Sequence, residues 1–168
     1  ELHQLARPDP LAPQRRHGAP AGDGGLRLAR GHRLAEPVRP AGEQRVLVVD
    51  DNRDAAEAMA MLLEALGYRS SVAHGGLAAI EAVKSQDPDV VLLDIGLPDL
   101  SGHEVARRVR AEMVNPPPLI AVTGYGQASD RETSLEAGFR AHLTKPVDVD
   151  KLSALLERLL EPPRFKAA

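Results

Sequence analysis

From residue 45 onward the chain alternates between short apolar runs and longer stretches whose apolar residues fall three or four positions apart. Val46 to Val49, Val90 to Leu93 and Leu119 to Val122 are unbroken runs of aliphatic residues. Such runs mark parallel strands covered on both faces. Ala141 to Thr144 is the last strand, and Tyr68 to Ala73 a weaker, more polar one, as expected at a sheet edge. Between them lie helices. Asn52 caps a helix carrying Ala55, Met59, Leu62, Leu63 and Leu66 at helical spacing, and Gly67 closes it. Gly76 to Ser85 is a second, with Leu77, Ile80 and Val83 expected to point inward. Ser101 and Glu104 form a capping box for a third, with Leu100 stapling onto Val105. Gln127 to Ala137 is a fourth, short and polar, ending at Gly138. In the fifth, Asp148 is the cap, Leu152, Leu155, Leu156 and Leu159 line one face, and Pro162 is the stop. Strand followed by helix, repeated with short loops, predicts an α/β domain with one parallel sheet and helices on both sides.

Residues 1 to 44 break this pattern. They hold six of the 14 prolines and six of the 14 glycines, no lysine, no aromatic residue, and Val38 as their only β-branched apolar residue. Such a segment buries little and is expected to be disordered. The division expected is therefore a Pro/Gly/Arg-rich segment over 1–44, a domain over 45–161 and a tail over 162–168. Seven arginines against five acids give the first segment +2, leaving −5 of the net −3 to residues 45–168. That split is too mild to argue for nucleic acid, and a solvated linker is the simpler reading. Cysteine is absent, which excludes disulfides and thiolate metal sites. No run approaches the ~20 apolar residues of a membrane span, and no signal peptide opens the chain, so a cytoplasmic location is expected. The first residue is Glu1, which suggests a fragment of a longer polypeptide.

The chemistry is concentrated at strand ends. The first strand leads into Asp50-Asp51, the third ends at Asp94, the fourth leads to Thr123 and the last to Lys145-Pro146. In open α/β sheets ligands bind in the crevice beyond the carboxyl ends of the strands. Taken alone, Asp50-Asp51 reads as a pair capping the following helix. Beside Asp94 it becomes costly, because three converging carboxylates repel one another unless a cation lies among them. The hard cation suited to carboxylates and phosphate oxygens is Mg²⁺. A threonine hydroxyl donates one hydrogen bond, and a lysine ammonium is a compact charge suited to phosphate oxygens.

With these residues the chain resembles the receiver domain of bacterial two-component response regulators. The matching stretches are VLVVDDN at 46–52, VVLLDIGLPDLSG at 90–102, AVTGYG at 121–126 and LTKPVD at 143–148. The resemblance implies a flavodoxin-like (βα)5 fold with strand order 2-1-3-4-5. It makes Asp94 the phosphoacceptor, charged by a phosphohistidine on a sensor histidine kinase or a histidine phosphotransfer domain. Asp51, Asp94 and the backbone carbonyl of Gly96 would hold Mg²⁺, with Asp50 acting through a coordinated water. Thr123 and Lys145 would bind the phosphoryl group, and the Lys145–Pro146 peptide would be cis. His142 stands where many receivers carry Tyr or Phe, and is the expected rotameric switch coupled to Thr123. Gly96 and Tyr125 occupy positions that tune hydrolysis in the family. His74 and His103 are read as surface residues.

The implied protein is a signalling domain that assists its own phosphorylation and dephosphorylation, rather than an enzyme acting on a separate substrate. Glu161 to Ala168 is too short for a DNA-binding output. Output is therefore expected through a protein partner, on the face built from the 127–137 helix, the last strand and the last helix, with no direct nucleic-acid or membrane contact. Two other readings stay open. One is the C-terminal receiver of a hybrid histidine kinase. The other is a Mg²⁺-dependent phosphohydrolase forming an aspartyl-phosphate, although such enzymes generally need an acid two residues after the nucleophile, where this chain has Gly96. No glycine-rich phosphate loop follows any strand.

Overall fold

A computed structural model describes residues 39–124 and 136–161. Strands β1 (Arg45–Val49), β2 (Arg69–Ala73), β3 (Val90–Asp94), β4 (Leu119–Thr123) and β5 (Ala141–Thr144) alternate with helices α1 (Arg53–Ala65), α2 (Gly76–Gln86), α3 (Gly102–Glu112) and α4 (Val149–Leu160). All pairings are parallel and the order is β2-β1-β3-β4-β5. The expected order is thus met, with the polar strand Arg69–Ala73 at one edge.

Because side chains alternate along a strand, each central strand feeds two cores. Leu47, Val49, Val91, Leu93 and Ala121 pack with Ile80, Val83, Val105 and Val109 of α2 and α3. Val46, Val48, Val90, Leu92, Ile120 and Val122 pack with Leu63, Leu152 and Leu156 of α1 and α4. This two-sided burial is why the strands read as unbroken apolar runs.

The helix signals hold where a side chain or a glycine makes them explicit. Asn52 accepts the Ala55 N–H and Asp148 accepts the Lys151 N–H, as caps should. Gly67 and Gly138 adopt φ of +91° and +95°, in the left-handed region that favours glycine. At Ser101 only half of the capping box forms. The hydroxyl accepts the Glu104 N–H at 3.3 Å, but the Glu104 carboxylate is taken by Arg107 and Arg108. Leu77 is a second departure, since it is 57% exposed instead of inward. The buried stripe of α2 runs through Gly76, Ala79, Ile80 and Val83. Gly76 takes the inner position because a Cβ there would collide with Leu100 and Val105, and Leu77 is turned ~100° away. Of the predicted 127–137 helix, Glu136 and Ala137 are helical, and the rest lies outside the described residues.

Residues 39–44, which composition groups with the preceding segment, touch the domain. Arg39 bonds the carboxylates of Asp87 and Asp89 at 2.8 and 2.6 Å, and the Gln44 amide donates to the Leu160 carbonyl at 3.2 Å.

Candidate functional site

The carboxylates of Asp50, Asp51 and Asp94 converge beyond the ends of β1 and β3, with one oxygen from each lying within 4.8 Å of the others. Strand register explains this. Val49 pairs with Leu93, so Asp50 and Asp94 leave neighbouring strands side by side. Asp50 is buried, Asp94 half-buried and Asp51 exposed.

Lys145 reaches into the cluster from the loop after β5. Its Nζ donates to Asp50 Oδ2 at 2.7 Å and to Asp94 Oδ2 at 2.9 Å. The second oxygen of each acid is held by its own loop. Asp50 Oδ1 accepts the Asn52 N–H at 2.9 Å, and Asp94 Oδ1 accepts the Gly96 N–H at 2.8 Å. Lys145 is also tethered through its backbone, whose N–H donates to the Thr123 carbonyl at 2.7 Å. Burial acts to lower the ammonium's pKa, but hydrogen bonds to Asp50 and Asp94 outweigh it and hold the pKa above the ordinary lysine value. The Lys145–Pro146 peptide is cis, as the resemblance implies.

One ammonium does not neutralise three carboxylates. Asp51 makes no side-chain hydrogen bond among the described residues, so its oxygens are available at the rim. An all-oxygen donor set with surplus negative charge fits a hard divalent cation.

Thr123 is buried at the end of β4, one residue beyond the Val122 that pairs with Asp94. His142 is half-buried on β5, on the α2/α3 side of the sheet, its ring 6.2 Å from that of Phe139. Phe139 in turn meets His103 edge-on at 5.9 Å. Gly96 is exposed beside Asp94, while Tyr125 lies outside the described residues.

Sequence reasoning missed two contributors. His74 is not merely a surface residue, because its Nδ1 lies 3.2 Å from the Asp50 carbonyl oxygen. Its position directly after β2, the neighbour of β1, was the available signal. Asp99 accepts the N–H groups of Gly76 and Leu77, capping α2 across 22 to 23 positions. The only hint in the sequence was a glycine, Gly75, where a capping side chain is normally found.

A family model for the response regulator receiver domain matches residues 46–157. The chain belongs to the response regulator receiver domain family. Among curated relatives, the response regulator MprA of Mycobacterium ulcerans is 36% identical over 122 residues, covering 73% of this chain and 52% of the relative. The probable transcriptional regulatory protein TcrX of Mycobacterium tuberculosis is 40% identical over 116 residues, covering 68% and 49%. Among solved structures, the receiver domain of a sensor histidine kinase from Pseudomonas aeruginosa, with a magnesium ion coordinated in its active site cleft, is 33% identical. It superposes with a TM-score of 0.64 over 70% of this chain and 98% of that one. The receiver described here spans about half the length of the curated relatives it matches. Those longer relatives lend no support to an output free of nucleic acid.

Proposed function

We propose that this receiver takes a phosphoryl group onto Asp94 from the phosphohistidine of a sensor histidine kinase or phosphotransfer domain, and later loses it to water. The observation that carries the reading is the Lys145 ammonium bridging Asp50 and Asp94 at the strand ends. A carboxylate oxygen of Asp94 forms the new bond to phosphorus as the bond to the donor imidazole nitrogen breaks, and the imidazole leaves with that electron pair. In this reading Lys145 exchanges Asp94 Oδ2 for a phosphoryl oxygen, and the Thr123 hydroxyl donates to another. Catalysis of such a transfer is mainly positioning and charge stabilisation, which a pre-oriented ammonium supplies. Asp51, Asp94 and the Gly96 carbonyl are the residues that would hold Mg²⁺, with Asp50 acting through water; bound there, the ion neutralises charge on the transferring group.

Thr123 and His142 carry the response in this reading, and the output surface includes β5 and α4. Residue 96 sets water access for hydrolysis, and its glycine leaves that access open. No helix of the described residues is long and apolar enough to cross a membrane. The likeness to a sensor-kinase receiver at 33% identity supports a second setting for the same chemistry, as the receiver of a hybrid kinase.

Acetyl phosphate with Mg²⁺ should add one base-labile phosphoryl mass to the wild-type chain and none to Asp94→Asn. Labelling that persists in Asp94→Asn would move the acceptor elsewhere. In NMR, Mg²⁺ alone should perturb residues 50–52 and 94–96, and beryllium fluoride should extend the shifts to Thr123 and His142. A full response to Mg²⁺ alone would remove the switch role from those two, since a ligand shifts an equilibrium only through a differential contact.

A further inference from the structure

The backbone of Asp50 is tied to the neighbouring strand and its continuation at both its N–H and its carbonyl. Val49 and Ala73 are the last register pair of β1 and β2, so Asp50 and His74 leave the sheet next to each other. The Asp50 N–H donates to the Ala73 carbonyl at 3.1 Å. The Asp50 carbonyl oxygen, which directly precedes Asp51, lies 3.2 Å from His74 Nδ1. A carbonyl only accepts, so Nδ1 carries the proton and donates. His74 is half-buried at this edge.

We infer that His74 is a positioning residue for the acidic cluster: its side chain fixes the Asp50–Asp51 peptide plane and thereby aims the Asp51 carboxylate at Asp94. The inference rests on the cation-binding reading of that cluster. The other two acids do not need such help. Asp50 and Asp94 are each held at both oxygens, by Lys145 and by a loop N–H. Asp51 has no side-chain hydrogen bond among the described residues, so the reach of its carboxylate is set by its rotamer and by the backbone that carries its Cβ. Of the two bonds that tie the Asp50 backbone, the N–H to Ala73 holds the preceding peptide, continues the sheet and is available to any residue but proline. The bond to the carbonyl is made by a side chain, and residue 74 must provide it. Outer-shell donors of this kind orient the groups that touch a metal without touching it themselves.

The test is calorimetric titration of the full chain with Mg²⁺ alone, comparing wild type, Asp51→Asn, His74→Ala and His74→Asn, with thermal midpoints as the folding control. Asparagine places its amide nitrogen about where Nδ1 lies and keeps the donor. His74→Ala should weaken Mg²⁺ binding by about tenfold, the order seen when a supporting donor is removed, and His74→Asn should restore most of it. Rescue by asparagine separates positioning from a general loss of packing, which both variants share. If His74→Ala is too unstable to titrate, His74→Ser, whose hydroxyl is too short to reach the carbonyl, should show the same weakening. Wild-type affinity in the Ala or Ser variant, in a series where Asp51→Asn loses binding, overturns the role of His74 and leaves the cluster's reading intact. No Mg²⁺ binding by wild type, or undiminished binding by Asp51→Asn, overturns the reading itself and the inference with it.

Discussion

The Asp99 carboxylate occupies the space that a side chain on Gly75 would need. A Cβ built on Gly75 lies 3.0 Å from Asp99 Oδ2, and the carboxylate accepts the N–H groups of Gly76 and Leu77 at 2.9 and 3.1 Å. A residue of the loop that follows Asp94 thus caps α2, and those same backbone bonds lower the Asp99 pKa.

Moving the cap back onto the helix should therefore be possible. Asp99→Ala should cost roughly 1 kcal/mol, as N-cap truncations do, or about 4 °C of thermal midpoint for a domain of this size. Gly75 is in extended backbone that any residue adopts, with φ −173°. Gly75→Asn in the Asp99→Ala background should recover most of the loss, whereas in wild type it should not stabilise, because its Cβ crowds Asp99. A depressed folded pKa stabilises above the unfolded value, about 3.9, and that contribution is lost as pH falls through the lower folded value. The gap between wild type and Asp99→Ala should accordingly narrow as pH falls, as followed by melts from neutral pH into acid. A gap that does not narrow at all as pH falls would assign the loss to packing.

The boundary of the domain at its N-terminal side makes a second prediction. Arg39 is only 22% exposed and bonds two carboxylates at once, Asp87 and Asp89. Asp89 also accepts the Arg45 N–H at 2.7 Å, so Arg39, Asp89 and the start of β1 form one network. Networked, half-buried pairs exceed the usual surface value, and Arg39→Ala should cost about 1 kcal/mol. Chains starting at residue 39 and at residue 45 should differ by at least that much in chemical denaturation. Equal stability would confine the domain to residues after 44.

The comparison of sequence with structure divides along contact range. Strands such as Val90–Leu93 and caps such as Asn52 and Asp148 were legible because the signal and its cause lie within a few residues. Asp50, Asp51, Asp94 and Lys145 were legible because a parallel sheet sends every strand end to the same side. Leu77 was misread since the choice between adjacent helix positions was made by Leu100 and Val105, against which only a glycine fits. Arg39 escaped because composition averages over a segment, while its two partners lie 48 and 50 positions away. His74 and Asp99 escaped for the same reason, their acceptors or donors lying on other elements.

Gly138 gives a third prediction. Its φ of +95° is costly for any residue with a Cβ, and a Cβ there would overlap the Arg110 guanidinium on α3. Gly138→Ala should destabilise by about 1 to 2 kcal/mol from the left-handed conformation alone. Adding Arg110→Ala should relieve the steric part and leave the conformational part, so the two substitutions should be non-additive in a double-mutant cycle. Simple additivity would mean that Arg110 swings clear at no cost.

Lys145 gives the last. Removing it leaves Asp50, which is 6% exposed, and Asp94 facing each other without a cation. Lys145→Met keeps the aliphatic stem and deletes the charge, so its effect is electrostatic. The Lys145 side chain is 35% exposed, which screens the pairs, and a loss of about 1 to 2 kcal/mol in metal-free buffer is expected. Because the folded pKa is raised, the wild-type contribution is fully present below the unfolded value, about 10.4, and is lost as pH rises through the higher folded value. The difference between wild type and Lys145→Met should thus be constant near neutral pH and shrink in strong alkali. Added Mg²⁺ should raise the variant's thermal midpoint more than that of wild type, because the uncompensated carboxylates bind a cation more strongly. Phosphorylation by acetyl phosphate should nevertheless be slower in the variant, since the ion does not replace the ammonium on the phosphoryl group. A variant that binds Mg²⁺ more tightly and is phosphorylated at the wild-type rate would show that Lys145 serves only to neutralise Asp50 and Asp94.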